Sequence, residues 1–179
     1  MGNGQGNYDC KYHICNGRFR CRIYNRAYDP YFPAEKAEEN GVKMTTLDNL
    51  LSCSQVITIH CGLTPETSGL IGERELNLIQ ENAVLVNTAR GDIIDEGALI
   101  KKLKEKRFRA CLDVFAQEPL QENSPPRDME NVILALHRAG ATEDTYRRTG
   151  LSIPRDFKLF FEGKIPENAL TREQLSRMT

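Results

Sequence analysis

The sequence predicts an α/β fold with a parallel sheet covered by helices on both faces. Short strand candidates alternate with helical stretches at close spacing. The strands are apolar throughout rather than alternating, as buried parallel strands are. A length of 179 residues suffices for one domain with a sizeable core.

Residues 1 to 21 show neither a period of 2 nor of 3.6, so an irregular or disordered N-terminal segment is expected. Gly2, Gly4 and Gly6 tempt towards a dinucleotide loop, but Asn7 stands where G-x-G-x-x-G needs its third glycine. Cys10, His13, Cys15 and Cys21 match no zinc spacing, and no metal site is expected.

Cys21 to Tyr28 reads as a strand ending at Asp29-Pro30. Ala34 to Asn40 has helical composition and stops at Gly41. Val42 to Met44 is a short strand. Thr45-x-x-Asp48 reads as a capping box opening a helix through Leu47, Leu50 and Leu51. Val56 to Ile59 is a buried strand ending at His60-Cys61, followed by a polar loop and a short helix, Gly72 to Ile79.

The organising stretch is Ala83 to Gly97. Val84-Leu85-Val86 is a buried strand that stops at Asn87 and runs into a polar turn bearing Arg90 and Gly91. Asp95 is placed to cap a helix over Glu96 to Lys106, with Leu99, Ile100 and Leu103 inward and the lysines outward. Ala110 to Val114 is the next strand, then a loop with Glu118-Pro119-Leu120. Val132 to Leu136 leads to His137, and Thr142 caps a further helix. Pro154 is expected to open a last helix through Phe157, Phe160 and Phe161, stopped at Gly163. The domain thus runs from 22 to 150, with a helical extension over 151–179.

A formal net charge of −1, with both signs mixed along the chain, predicts no general attraction to nucleic acid or an anionic membrane. No apolar run approaches spanning length, and the N-terminus has no secretory character. Six cysteines without a C-x-x-C pair read as reduced thiols of a cytoplasmic protein, with Cys53 and Cys111 as small buried hydrophobes.

If the sheet is parallel, Asp29, His60, Arg90 and His137 all end strands on one edge, with Asp113 and Glu118 after another strand. Open α/β sheets bind ligands at that edge. A strand-end acidic residue accepts from ribose hydroxyls, and an arginine fork suits a carboxylate. A glutamate beside a histidine favours the protonated imidazole, an acid/base unit.

The ordered motifs resemble a known family. They are Tyr28-Asp29-Pro30-Tyr31, Ile59-His60-Cys61-Gly62-Leu63-Thr64-Pro65-Glu66-Thr67, Val86-Asn87-Thr88-Ala89-Arg90-Gly91 with Ile94-Asp95-Glu96, Asp113 to Leu120, and His137 to Thr142. From Tyr28 to Thr142 the chain resembles the NAD-binding domain of the D-isomer-specific 2-hydroxyacid dehydrogenases, the group that includes phosphoglycerate dehydrogenase and hydroxypyruvate reductase. The resemblance implies NAD as cofactor and a small 2-oxo or 2-hydroxy acid as substrate, and it allows a homodimer. It implies that Arg90, Glu118 and His137 are catalytic. Arg90 would bind the carboxylate, His137 would move the proton, and Glu118 would hold His137. It implies that Asp29, Cys61, Thr88, Ala89, Arg90, Asp113, His137 and Gly140 line the cofactor.

The departures from the family matter too. Its first strand, glycine-rich loop and helix are not legible in residues 1 to 21, and its substrate domain has no counterpart here. The fold expected is therefore a partial Rossmann-type doubly wound sheet lacking the first βα unit and the substrate domain. Residues 1 to about 26 read as out-of-frame or replaced sequence. Leu136 stands where the family has proline, and Arg138 where it has an apolar residue. Two functions are compatible with this reading: an NAD-dependent oxidoreductase of 2-hydroxy acids, impaired by truncation, or an inactive fragment or interaction module retaining part of the fold.

Overall fold

The computed structural model describes residues 12–16 as backbone, and residues 24–175. Among the described residues the strands are β1 (Tyr12–Asn16), β2 (Tyr24–Ala27), β3 (Val42–Met44), β4 (Val56–Ile59), β5 (Val84–Asn87), β6 (Arg109–Leu112) and β7 (Val132–Leu134). They form one sheet in the order β3-β2-β1-β4-β5-β6-β7. β4 to β7 pair in parallel, as do β2 and β3. β1 is antiparallel to both neighbours, so β2 and β4 point the same way. The carboxyl ends of β2 to β7 therefore share one edge, as expected.

β1 departs from expectation. The segment read as irregular contributes a strand in the middle of the sheet, registering Ile14 with Arg26 and His13 with Thr58. Its direction follows from chain length. A parallel crossover needs about a dozen residues or more. The link from Asn16 to Tyr24 is shorter than such a crossover. β1 pairs the backbone edges that β2 and β4 would otherwise leave open. The tempting glycines and Cys10 and Cys21 lie outside the described residues.

The helices are α1 (Ala34–Glu39), α2 (Leu47–Cys53), α3 (Glu73–Leu78), α4 (Glu96–Lys104), α5 (Glu143–Phe161) and α6 (Arg172–Leu175). α1 ends before Gly41, whose φ of 70° is the left-handed conformation that glycine tolerates best. α2 is capped by Thr46, one residue later than expected, its hydroxyl accepting from Asn49 N–H at 3.3 Å. α3 follows Gly72, whose N–H donates to Glu75 Oε2 at 3.1 Å. Asp95 caps α4 by accepting from Ala98 N–H at 2.9 Å.

The core lies between β4, β5 and β6 and helices α2 to α4. Ile57, Ile59, Leu85 and Ala110 of the sheet pack with Leu51, Leu76, Leu99, Leu103 and Phe108. Lys102 corrects the expectation of outward lysines. It is 8 % exposed, and its ammonium reaches Glu105 Oε1 at 2.9 Å. Its long stem buries while the charge finds a partner. Cys53 and Cys111, expected inside, are half-buried, while Cys61 is buried.

The break expected at Gly150–Pro154 does not occur. α5 is one helix of 19 residues that contains Pro154. Proline removes the N–H that would bond the carbonyl four residues back, here Gly150. Gly150 is exposed and leaves that carbonyl to water. Thr142 caps the helix as expected, accepting from Thr145 N–H at 3.1 Å, and Gly163 ends it at φ 70°. No residue of α5 is buried, and Tyr146, Phe157, Phe160 and Phe161 face outwards. The segment after α5 folds back on it, with Arg155 paired to Glu167 and Glu167 N–H donating to Asp156 at 3.1 Å. No helix among the described residues is long and apolar enough to cross a membrane.

Candidate functional site

Three turns beyond the parallel strands build the site. The first follows β5. Asn87 is 2 % exposed, and its amide serves both ends of the turn. Oδ1 accepts from Ala89 N–H at 3.0 Å and Nδ2 donates to the Arg90 carbonyl at 2.9 Å. Asparagine side chains close such turns because they mimic a backbone unit. Arg90 follows in an extended conformation, half-buried, with Nη1 donating to the Ala89 carbonyl at 2.6 Å. Among the described residues no carboxylate pairs with it, so the rest of its fork is free for an anion.

The second turn follows β6 and carries Glu118. Its Oε1 accepts from Phe115 N–H at 3.1 Å, which fixes the carboxylate to its own loop. The two loops touch at Gly91. A methyl group at its α-carbon would stand 2.0 Å from the Phe115 carbonyl carbon. Glu96 ties the start of α4 to the same loop by accepting from Ala116 N–H at 2.9 Å.

The third turn follows β7 and carries His137. Leu136 and His137 both take positive φ, 51° and 57°. That conformation is uncommon in residues with side chains and needs support from outside. Asp113 supplies it. Its carboxylate accepts from Arg138 N–H at 2.7 Å and from Ala139 N–H at 3.0 Å, and its carbonyl accepts from His137 N–H.

The result is a short contact between His137 Nδ1 and Glu118 Oε2, 2.6 Å. The histidine hydrogen bond holds the Glu118 carboxyl below its ordinary value, helped by the Phe115 N–H and by the nearby charge of Arg90, while desolvation opposes the shift. An ionised carboxylate accepts from Nδ1–H, which leaves Nε2 as the proton-carrying or proton-taking atom. The histidine is about half exposed, so Nε2 is accessible to a small molecule.

Asp29, at the end of β2, accepts from Tyr31 N–H at 2.9 Å through Oδ1. That bond leaves Oδ2 for an outside donor, and a ribose diol offers two. Thr88 and Gly140 are exposed and Ala89 is half-buried, and a methyl on Gly140 would meet nothing within 4 Å. Cys61 follows β4. It is 3 % exposed and packs into the core. Backbone N–H groups of the histidine turn donate to both carboxylate oxygens of Asp113. His60 points outwards with Nε2 2.8 Å from Thr58 Oγ1 and joins none of these contacts.

Asn87, Gly91 and Glu96 shape the site without an obvious chemical signature in the sequence. A polar residue ending an apolar strand was the available signal for Asn87. The Arg-Gly pair was the signal for Gly91.

A family model described as D-isomer specific 2-hydroxyacid dehydrogenase, NAD binding domain, matches residues 14–139. A glyoxylate reductase of Aeropyrum pernix is 44 % identical over 140 residues, 78 % of this chain and 42 % of that protein. A D-3-phosphoglycerate dehydrogenase of Methanocaldococcus jannaschii is 39 % identical over 145 residues, 80 % of this chain and 28 % of that protein. The D-isomer specific 2-hydroxyacid dehydrogenase of Lactobacillus delbrueckii ssp. bulgaricus, solved in its NAD complexed form, superposes with a TM-score of 0.71 at 28 % identity, over 82 % of this chain and 48 % of that one. The enzyme of the same name from Xanthobacter autotrophicus Py2, solved with NADPH and MES, gives 0.69 at 30 % identity, over 82 % and 60 %. This chain thus spans less than half the length of the two curated relatives.

Proposed function

Because the chain belongs to the NAD-binding-domain family of the D-isomer-specific 2-hydroxyacid dehydrogenases, we propose that it carries the cofactor-holding and proton-transferring half of an NAD-dependent reductase of small 2-oxo acids. The 2.6 Å contact between His137 and Glu118 carries this reading. NAD, the family's cofactor, would supply the hydride chemistry when bound.

Each residue then has one task. Asp29 accepts from the adenosine ribose and disfavours a phosphate there, because two anions would meet. Arg90 holds the substrate carboxylate with its free fork. In the reductive direction, charge develops on the carbonyl oxygen as its carbon is reduced. His137 Nε2 gives its proton to that oxygen, and in the oxidative direction takes it back. Arg90 steadies the same charge by position. Glu118 keeps the imidazole oriented and offsets its positive charge.

A second reading rests on the centre of the sheet. β1 runs antiparallel to both of its neighbours there, whereas a parallel strand leading into a helix is what aims a helix N-terminus at a pyrophosphate. The alternative is a domain that holds a nucleotide weakly, or not at all, and does no chemistry.

NADH titration of the purified chain, by fluorescence or calorimetry, separates the two. Saturable binding that weakens about tenfold in Asp29→Ala supports the first reading, as the loss of one charge-assisted ribose contact predicts. A folded chain that binds no NADH at millimolar concentration overturns it. Turnover of glyoxylate, hydroxypyruvate and 3-phosphohydroxypyruvate then addresses the substrate.

A further inference from the structure

We infer that Asn87 is a positioning residue that sets the Arg90 turn and the His137 turn relative to one another through Asp113. The inference rests on the functional reading above for what the two turns do, but not for whether they are coupled. Asn87 and Asp113 end adjacent strands, are 2 % and 3 % exposed, and are joined by the Asp113 N–H to Asn87 carbonyl bond at 2.9 Å. On one side of that bond, the Asn87 amide uses its donor and its acceptor to close the turn before Arg90. On the other, the Asp113 carboxylate and carbonyl hold three successive N–H groups, from His137 to Ala139. Both residues are buried and bonded at their side chains, so a displacement of Asn87 is passed to Asp113 through the backbone bond that joins them. Two strain-prone residues, Leu136 and His137, rest on that support.

The side chain at position 87 is therefore specified tightly. Alanine removes both turn bonds. Serine keeps an acceptor for Ala89 N–H and loses the donor to the Arg90 carbonyl. Aspartate keeps the acceptor but sets an oxygen against that carbonyl.

Amide hydrogen exchange on the ligand-free chain tests the coupling without any activity. In Asn87→Ala, exchange of the Arg138 and Ala139 amides should quicken about tenfold together with Ala89, as loss of one buried hydrogen bond predicts, while the β4 amides stay slow. Asp113→Asn should quicken Ala89 in return. In Asn87→Ala the Glu118 carboxyl, followed by carbon NMR, should also titrate closer to the ordinary glutamate value, since its largest perturbation is the His137 bond.

An effect confined to Ala89, an unmoved Glu118, or equal acceleration throughout β4 overturns the inference. Should Asn87→Ala not fold, Asn87→Ser is read in the same way, and its failure to fold also overturns it. A wild-type chain without NADH binding but with coupled turns sinks the functional reading alone. A chain that binds and turns over while its turns move independently sinks this inference alone. In an active chain Asn87→Ala should lower kcat more than it raises the KM for NADH.

Discussion

Gly91 and Phe115 meet backbone to backbone, so closely that a β-carbon on Gly91 would lie 2.0 Å from one Phe115 atom and 2.2 Å from its oxygen. This approach puts the loop of Arg90 against the loop of Glu118. Gly91→Ala is expected to cost at least about 3 kcal/mol, because the obstacle is main chain that cannot rotate away. Gly140→Ala is its control, with nothing within 4 Å of the added methyl, and should stay within about 0.5 kcal/mol of wild type. Denaturant melts of the two variants check the contrast.

The His137–Glu118 pair links stability to pH. Glu118 is held below its ordinary value in the folded chain, chiefly by the histidine hydrogen bond. Its ionised form therefore stabilises the fold above the ordinary glutamate range. That contribution fades as pH falls through the lowered folded value. The carboxylate is about one-third exposed, so solvent screening limits the effect to about 1 kcal/mol or less. The stability difference between wild type and Glu118→Gln should be present at pH 7 and shrink towards pH 3. A difference that does not change with pH would contradict this.

Lys102 and Glu105 form an uneven pair, the lysine side chain 10 % exposed and the glutamate 40 %. Removing the glutamate leaves a mostly buried ammonium without its partner. Removing the lysine in favour of an apolar chain leaves a carboxylate that water can reach. Lys102→Met is accordingly expected to be neutral or stabilising, and Glu105→Ala destabilising by about 1 kcal/mol or more. Thermal melts at low and high salt check the order.

For a chain that turns over, His137→Gln should lower kcat about 10²–10⁴-fold while leaving NADH binding nearly intact. Arg90→Lys keeps the charge and loses the planar fork, so it should lower kcat/KM for the 2-oxo acid about 10²-fold or more. Equal loss of NADH affinity in both variants would move these residues from chemistry to cofactor binding. Steady-state kinetics beside the NADH titration distinguishes the cases.

Much of the fold was legible because it is written in local periodicity. The apolar runs at Val56–Ile59 and Val84–Asn87 are strands as expected. Asp95 and Thr142 cap helices because their side chains reach the free N–H groups of their own first turns. Gly163 stops α5 because it alone there accepts positive φ easily. The polar ends of parallel strands, and hence the shared edge, follow from the same patterns.

What pattern could not decide is what meets what in space. The direction of β1 depended on a short link and on two open strand edges beside it. Lys102 is buried because Glu105 waits one turn on and α4 presses that side inward. The continuity of α5 through Pro154 depended on open solvent at Gly150. Asn87 and Gly91 look ordinary in sequence, and the hold of Asp113 on the histidine turn is equally silent there, since these bonds and close approaches join turns far apart along the chain. The alternation of strands and helices, the chemistry-bearing strand ends and the family are all legible in local pattern. How the Arg90, Glu118 and His137 turns are locked together emerges in three dimensions, because hydrogen bonds and backbone contacts between distant segments leave no periodic trace.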